Sequence, residues 1–338
     1  MKPLTIVGGG LAGLSLAIAL RQKGIDLTLH EAIPYPRHRV CGEFISGVQS
    51  ETLAKLGIDD LLQDACSLSS STWRRGDGSE LCRFTLPEPA RGISRHRLDL
   101  RLAERLQDWG GRLELGRKAL PSGQEGYVDA AGRRPVPKSP WMGLKCHFRD
   151  FPMHADLEMH LAEGAYVGLS AVEEGWVNVC ALLPRVSGLS GKGPVRFLQH
   201  LDAVGLKELA ERLQAATANP ASFQGVAGLQ LGEQPAAEGF AIGDGNRMIC
   251  PFTGNGMSMA FESAAQAMGP LSRYAGGQLS WKAAVEEGRQ AIRRKHHRRS
   301  QLSLHLQSLL FQPPLRESFA FLSRISTFPL RALFHLTR

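Results

Sequence analysis

The stretch from Leu4 to Glu31, LTIVGGGLAGLSLAIALRQKGIDLTLHE, constrains this protein more than any other. Leu4 to Val7 is a short apolar run of strand type. Gly8, Gly10 and Gly13 follow it in a G-x-G-x-x-G pattern. Leu14 to Leu20 is rich in Leu and Ala and reads as a helix, with Gly24 placed to end it. Leu27 to Leu29 predicts a second strand, closed by Glu31. Strand, glycine turn, helix, strand and acid in this order predict a βαβ unit that binds a dinucleotide. Gly8 allows the tight turn. Gly10 has no side chain, so a pyrophosphate can approach the backbone. Gly13 lets the helix lie close to the sheet. The helix start at Leu11 and Ala12 offers free N–H groups and a positive dipole end to phosphates. Glu31 is placed to accept hydrogen bonds from a ribose and to disfavour a 2′-phosphate.

The 338 residues suffice for one large core or two domains. Hydrophobic residues make up 43% and charged residues 21%, as in an ordinary soluble globular protein. No apolar run is long enough to span a bilayer. The start MKPLTIVGGG already commits its first apolar segment to the nucleotide unit, so no signal peptide is expected. Cysteines 41, 66, 82, 146, 180 and 250 are scattered with no CxxC pair. That argues against zinc and a disulfide framework and suits a cytoplasmic protein. The net charge is +8, with much of the excess in the C-terminal quarter, notably Arg293 to Arg299. A solvated helix face, an anionic membrane surface and an acidic ligand are the readings of that run. Nucleic acid is disfavoured because no interleaved aromatics accompany the charge.

After Glu31 comes a loop with two prolines, AIPYPRHRVCGEF, leaving the C-terminal edge of the second strand, where ligands lie in open α/β sheets. Ser50 to Leu62 reads as helix broken near Gly57, and Asp77-Gly78 marks a hairpin between Ser71–Arg75 and Glu80–Thr85. Arg97 to Trp109 is helical, with Leu98, Leu102, Leu106 and Trp109 on one face. Arg112 to Leu115 and Tyr127 to Val128 predict short strands returning to the nucleotide sheet. Met142 to Leu183 changes character: its strand-like segments predict an antiparallel sheet that carries the substrate side. Arg196 to Ala216 is helical. Gly239 to Ile242 is a short strand, Met257 to Ala275 a long helix, and Trp281 to Arg338 a mostly helical, basic and apolar tail.

Phe240-Ala241-Ile242-Gly243-Asp244 ends that strand with an acid, and Pro251-Phe252-Thr253-Gly254-Asn255-Gly256-Met257 opens the long helix. Here the sequence resembles the FAD-dependent group that includes aromatic hydroxylases (group A flavin monooxygenases), geranylgeranyl reductases and flavin halogenases. These pair an N-terminal G-x-G-x-x-G with a distal G-D and then P-x-x-G-x-G. The resemblance implies that Gly243 and Asp244 hold the ribityl portion of FAD. It also implies that Pro251 and the Gly254, Asn255, Gly256 and Met257 backbone meet the flavin. A helix N-terminus there suits the negative charge of a reduced flavin. Arg95-His96-Arg97-Leu98-Asp99 fits the group's R-x-x-L-D, placing Arg95 near FAD. Arg37 to Glu43 is similar to the loop that, in the reductase branch, runs past the flavin with a Cys-Gly. That likeness brings in Arg39 for the cofactor and Cys41 and Glu43 for the substrate, with Cys41 the one candidate for catalysis.

The resemblance implies an α/β fold. A Rossmann-like FAD-binding domain (1–66, 93–135 and 236–275) is interleaved with an antiparallel-sheet substrate domain (67–92 and 136–235), and a helical tail (276–338) follows. It implies an FAD-dependent oxidoreductase acting on a lipophilic or aromatic small molecule. A monooxygenase would form a C4a-hydroperoxide that hydroxylates or epoxidises. A reductase would pass hydride to a C=C bond of an isoprenoid or polyketide. A non-catalytic flavin-binding protein is the third alternative. Two departures matter. The group's central Asp-Gly motif falls near Asp129 to Arg133, and if Gly132 is its glycine, Ala131 stands where the acid belongs. This puts direct handling of NAD(P)H as electron donor in doubt. The halogenase W-x-W-x-I-P is missing, which disfavours halogenation.

Other candidates have plain readings. Glu43 can cap the next segment. His147, His154 and His160 read as surface or satisfied core histidines, and Trp141, Phe148 and Trp176 as core. No metal constellation is legible. Leu302 to Arg338 alternates apolar residues with Arg316, Arg324, Arg331 and Arg338. It reads as a helical cap on the substrate domain or as a peripheral contact with an anionic membrane.

Overall fold

The computed structural model describes residues 1–116, 118–119, 122–234, 239–249, 254–310, 312, 314, 317 and 318. Strand β1 (Leu4–Val7) leads into helix α1 (Leu11–Arg21) and β2 (Leu27–Glu31). Then come β3 (Phe44–Ile45), α2 (Ser50–Leu56), the hairpin β4 (Cys66–Arg75) and β5 (Glu80–Gly92), and α3 (Arg95–Asp108). Strands β6 (Arg112–Leu115) and β7 (Tyr127–Asp129) precede β8 (Trp141–Arg149), β9 (Leu157–Ala162), β10 (Ala165–Ala171) and β11 (Val177–Pro184). Helices α4 (Gly193–Ala203) and α5 (Lys207–Gln214) lead to β12 (Thr217–Ala227), β13 (Gly232–Glu233), β14 (Phe240–Ala241) and β15 (Arg247–Met248). Helices α6 (Gly256–Ala275) and α7 (Trp281–Leu310) complete the order.

Strands β14-β7-β1-β2-β6 form a wholly parallel sheet. Helix α1 is buried at every residue from Leu11 to Leu20. A helix can be buried all round only when its residues are small or apolar, as these are. It packs between the sheet, α3 and α6 in one continuous core. Helix α3 starts two residues before the predicted Arg97, because Ser94 caps it: the Ser94 Oγ accepts from the Arg97 N–H at 3.1 Å. Gly57 ends α2 in the left-handed conformation.

The larger sheet runs β12-β8-β11-β10-β9-β4-β5-β3. It departs from the antiparallel expectation at one seam, where β4 pairs with β9 in parallel. The reason is the path of the backbone. Between β5 and β8 it leaves to build α3, β6 and β7, and a parallel neighbour needs such a long connection. Two antiparallel blocks therefore join side by side. One face of this sheet, with Cys146, Phe148, Val167, Leu169, Val177 and Val179, packs under α4 and α5. The other face looks toward the loop after β2.

Helix α7 lies on α6, and its basic run is not uniformly solvated. Glu262 of α6 is buried and meets Arg299 at 2.8 Å, His296 at 3.3 Å and Lys295 at 3.6 Å. Arg293, Arg294 and Arg298 remain exposed. Beyond α7, Glu317 holds Arg75 of β4 through two contacts, at 2.6 and 2.8 Å, so the segment after α7 reaches the larger sheet. Most of Leu302 to Arg338 lies outside the described residues, as do Cys250 and Pro251. No described helix is long and apolar enough to cross a membrane. The five described cysteines are free thiols.

Candidate functional site

The glycine turn follows the steric logic of its sequence. Gly8 has φ +108°, and a Cβ there would lie 2.2 Å from the Ala130 carbonyl oxygen. A Cβ on Gly13 would lie 2.0 Å from the Gly8 oxygen, so only glycine lets α1 rest on the turn. A Cβ on Gly10 would meet nothing closer than Arg95 Nη2 at 3.9 Å, so this position borders open space. No side-chain group caps α1, and its first N–H groups are left for another acceptor.

Glu31 is buried and braces the turn. Its Oε2 accepts from the Gly9 N–H at 2.7 Å, and its Oε1 accepts from the Ile33 N–H at 3.0 Å and pairs with Arg37 at 2.6 Å. Burial alone would raise its pKa, but Arg37, the Ile33 N–H and Arg39 outweigh this and hold it below the ordinary value. Tyr35 Oη and Arg37 Nη2 both donate to the Gly9 carbonyl, at 2.6 and 2.9 Å. Sequence reasoning missed Tyr35 and Arg37 as parts of the turn. Their only signal was the proline-rich loop that holds them.

The second motif arrives beside the first. Gly243 has φ +60°, and a Cβ there would sit 3.0 Å from Ala12 Cβ. Asp244 is exposed yet lies in a crowded cleft. That crowding pushes its carboxyl upward, against the pull of Arg95, Arg133 and Arg39. Arg95, at the start of α3, is held by Asp99 through two hydrogen bonds, at 2.7 and 2.9 Å. Arg39 is held loosely: its nearest carboxylates, Glu31 and Asp99, stand at 3.5 and 3.6 Å, and its Nε has no hydrogen-bond partner. At the start of α6, Asn255 is fully buried and Met257 nearly so. Gly254 has φ +67°, and a Cβ there would strike the Phe44 ring at 2.2 Å. The cleft is thus bounded by Gly10, Arg39, Arg95, Arg133 and Asp244, at the C-terminal ends of parallel strands.

The loop after β2 is fastened to the larger sheet by one row of polar residues. Ser170 Oγ donates to the Gly42 carbonyl at 2.7 Å, and Asn178 Nδ2 donates to the Cys41 carbonyl at 3.0 Å. Glu43 is fully buried with φ +54°. Its Oε1 accepts from the Arg95 N–H at 3.0 Å and meets Lys145 Nζ at 3.1 Å, and its Oε2 meets His147 Nε2 at 2.5 Å. Glu43 does cap the next helix, and it also anchors two residues of β8. Burial opposes its charge, but Lys145, His147 and the Arg95 N–H hold its pKa below the ordinary value. Lys145 Nζ also lies 3.2 Å from His38 Nδ1. Burial, Lys145, His147 and His96 push His38 down to about 3. Among the described residues, His38, Glu43 and His147 converge closely enough for a metal. The Lys145 ammonium already provides a cation at that spot. The Cys41 thiol lies against Arg95, and burial pushes its pKa up, so it is no ready thiolate. His160 pairs with Glu158 at 2.9 Å, His154 is exposed, and Phe148 is core. Trp176 is half-buried under Arg149, 4.1 Å away.

The family model of an NAD(P)-binding Rossmann-like domain matches residues 6–51. Solved structures are similar over nearly the whole length. p-Nitrophenol 4-monooxygenase PnpA from Pseudomonas putida matches with a TM-score of 0.78 at 14% identity, over 99% of this chain and 97% of that one. Klebsiella pneumoniae HpxO, solved with FAD and uric acid, matches with a TM-score of 0.73 at 16% identity, over 99% and 96%. The protein has the flavin monooxygenase fold. Within this fold the glycine turn and the Asp244 motif share one cleft. Kynurenine 3-monooxygenase of Dictyostelium discoideum is 42% identical over 69 residues, which is 19% of this chain and 15% of that protein. The match therefore spans well under a fifth of that relative's length.

Proposed function

We propose that the protein binds FAD in this cleft and works as an FAD-dependent oxidoreductase of the monooxygenase type. The observation that carries the reading is the convergence of Gly10, the uncapped start of α1, the loosely held Arg39 and the exposed Asp244 on one crevice. These groups suit FAD. The α1 N–H groups, Arg39 and Arg95 would meet the pyrophosphate, Glu31 the ribose, and Asp244 the ribityl hydroxyls. Gly254 to Met257, opening α6, would face the flavin ring. Once bound, the flavin supplies the two-electron redox chemistry, and the protein positions it. The solved relatives bound to small organic molecules support a small lipophilic or aromatic substrate. The C=C reductase reading draws only on Cys41-Gly42.

The test is direct. Purified protein should carry non-covalent FAD, and Asp244→Ala should weaken its retention about ten- to hundred-fold, the value of one hydrogen bond to a charged group. A colourless protein that ignores added FAD would refute the reading. Stopped-flow oxidation of the reduced protein, with and without candidate lipids, separates monooxygenase from reductase.

A further inference from the structure

The loop-facing side of the larger sheet is closed almost everywhere. Along β11, β10 and β9, the row Asn178, Ser170, Leu157 is buried beneath the loop after β2, and the row Leu182, Tyr166, Leu161 is buried at the far side. Between them runs the row Cys180, Gly168, Met159, and all three of these residues are partly exposed. The row ends at buried residues on both sides: Lys145 on β8 pairs with Cys180, and Trp73 on β4 pairs with Met159. At its centre, a Cβ on Gly168 would meet nothing closer than the Cys180 carbonyl oxygen at 3.9 Å. Gly168 carries no left-handed φ, so its backbone does not require glycine. Alternation puts it on the loop side, since Val167 and Leu169 belong to the core under α4 and α5. The result is a walled hollow in the middle of a sheet, about 7 Å between rows and about 10 Å across three strands.

We propose that this hollow is the substrate site, that Gly168 is the residue that sets its size, and that it takes a neutral, flat, apolar ring carrying a hydroxyl group. The lining chemistry selects that class. The surfaces are a thiol, a thioether and bare backbone, which suit apolar contact. The one neighbouring cation, Lys145, is fully buried and already paired with Glu43 at 3.1 Å, so it offers an anion nothing without breaking that pair. A buried anion without a partner is strongly disfavoured. Asn178, one row away, donates through Nδ2 to the Cys41 carbonyl, while its buried Oδ1 has no hydrogen-bond partner. A ligand hydroxyl is the donor that would satisfy it. The Cys41 loop separates the hollow from Arg95 and the cofactor cleft, so a ring held here lies next to a flavin held there. The proposal deepens the flavin reading and rests on it for the reaction, although ring binding itself can be measured without flavin.

The experiment is calorimetric titration of the full-length protein with 4-methylphenol as the neutral probe and benzoate as the anionic one, with flavin absorbance recorded in parallel. The wild type should bind 4-methylphenol saturably and benzoate at least tenfold more weakly. Gly168→Leu, which fills the hollow, should weaken 4-methylphenol at least tenfold while FAD content stays that of the wild type. Cys180→Phe fills the same space from the next strand and serves if Gly168→Leu does not fold. Unchanged 4-methylphenol affinity in a folded filled variant, equal affinity for benzoate, or no binding of 4-methylphenol by the wild type overturns the proposal. Loss of FAD binding with calorimetric ring binding intact overturns the flavin reading instead.

Discussion

At the residue scale, Glu43 concentrates the most unusual physics. It is a buried carboxylate in a left-handed backbone conformation, held by groups from α3 and β8. Removing its charge strands the Lys145 ammonium. Glu43→Gln should therefore destabilise the protein by roughly 3–5 kcal/mol, whereas adding Lys145→Met should recover much of the loss, since a buried pair replaced as a whole is often neutral. Denaturant titration of both variants checks this. Acid should weaken the same region in two stages. The unfolded protein takes a proton on His38 near its ordinary 6.5, but the folded protein resists until about 3, so stability falls as pH drops through that window. Glu43, held below its ordinary value of 4.5, contributes fully above that value and loses its contribution as pH falls through its lowered pKa. The groups facing this cluster are Lys145, His147, His96, Arg95, Cys41 and Glu173. Unfolding midpoints between pH 7 and pH 4 should decline, and His38→Asn should flatten the upper part of that decline.

At the element scale, α7 is attached to α6 through a polar contact inside an apolar interface. Glu262 gathers Arg299, His296 and Lys295, so an apparent surface charge run is half an internal clamp. Glu262→Ala would leave Arg299 buried without its acid. The expected loss is roughly 3–5 kcal/mol, with earlier hydrogen exchange in α7 than in the parallel sheet as the local signature. Equal protection of α7 in wild type and variant would show that apolar packing alone holds the helix.

At the scale of the whole molecule, the cofactor cleft draws on residues far apart in sequence: Gly10, Arg39, Arg95, Arg133 and Asp244. A ligand that joins such distant segments stabilises all of them together. At a hundred times its Kd, FAD should add about 2.7 kcal/mol, seen as a melting temperature several degrees higher in one transition. A second, FAD-insensitive transition would show that the larger sheet unfolds on its own.

The sequence by itself determined the nucleotide unit, because glycine spacing and helix periodicity are local rules that need no tertiary partner. The turn at Gly8, the burial of α1, the hairpin at Asp77-Gly78 and the Gly243-Asp244 strand end all follow from near neighbours in sequence. The parallel seam between β4 and β9 is absent from any local pattern, since it depends on where the backbone returns after α3, β6 and β7. Lys145 and His147 look like ordinary strand residues until the fold sets them against Glu43, about a hundred residues away. The hollow at Gly168 was equally hidden. A glycine in a strand says little alone, and only the burial of the rows on either side turns its lack of a Cβ into a cavity. Tertiary structure decided these features because burial and charge pairing are properties of surfaces brought together, and a sequence fixes those surfaces only through the completed fold.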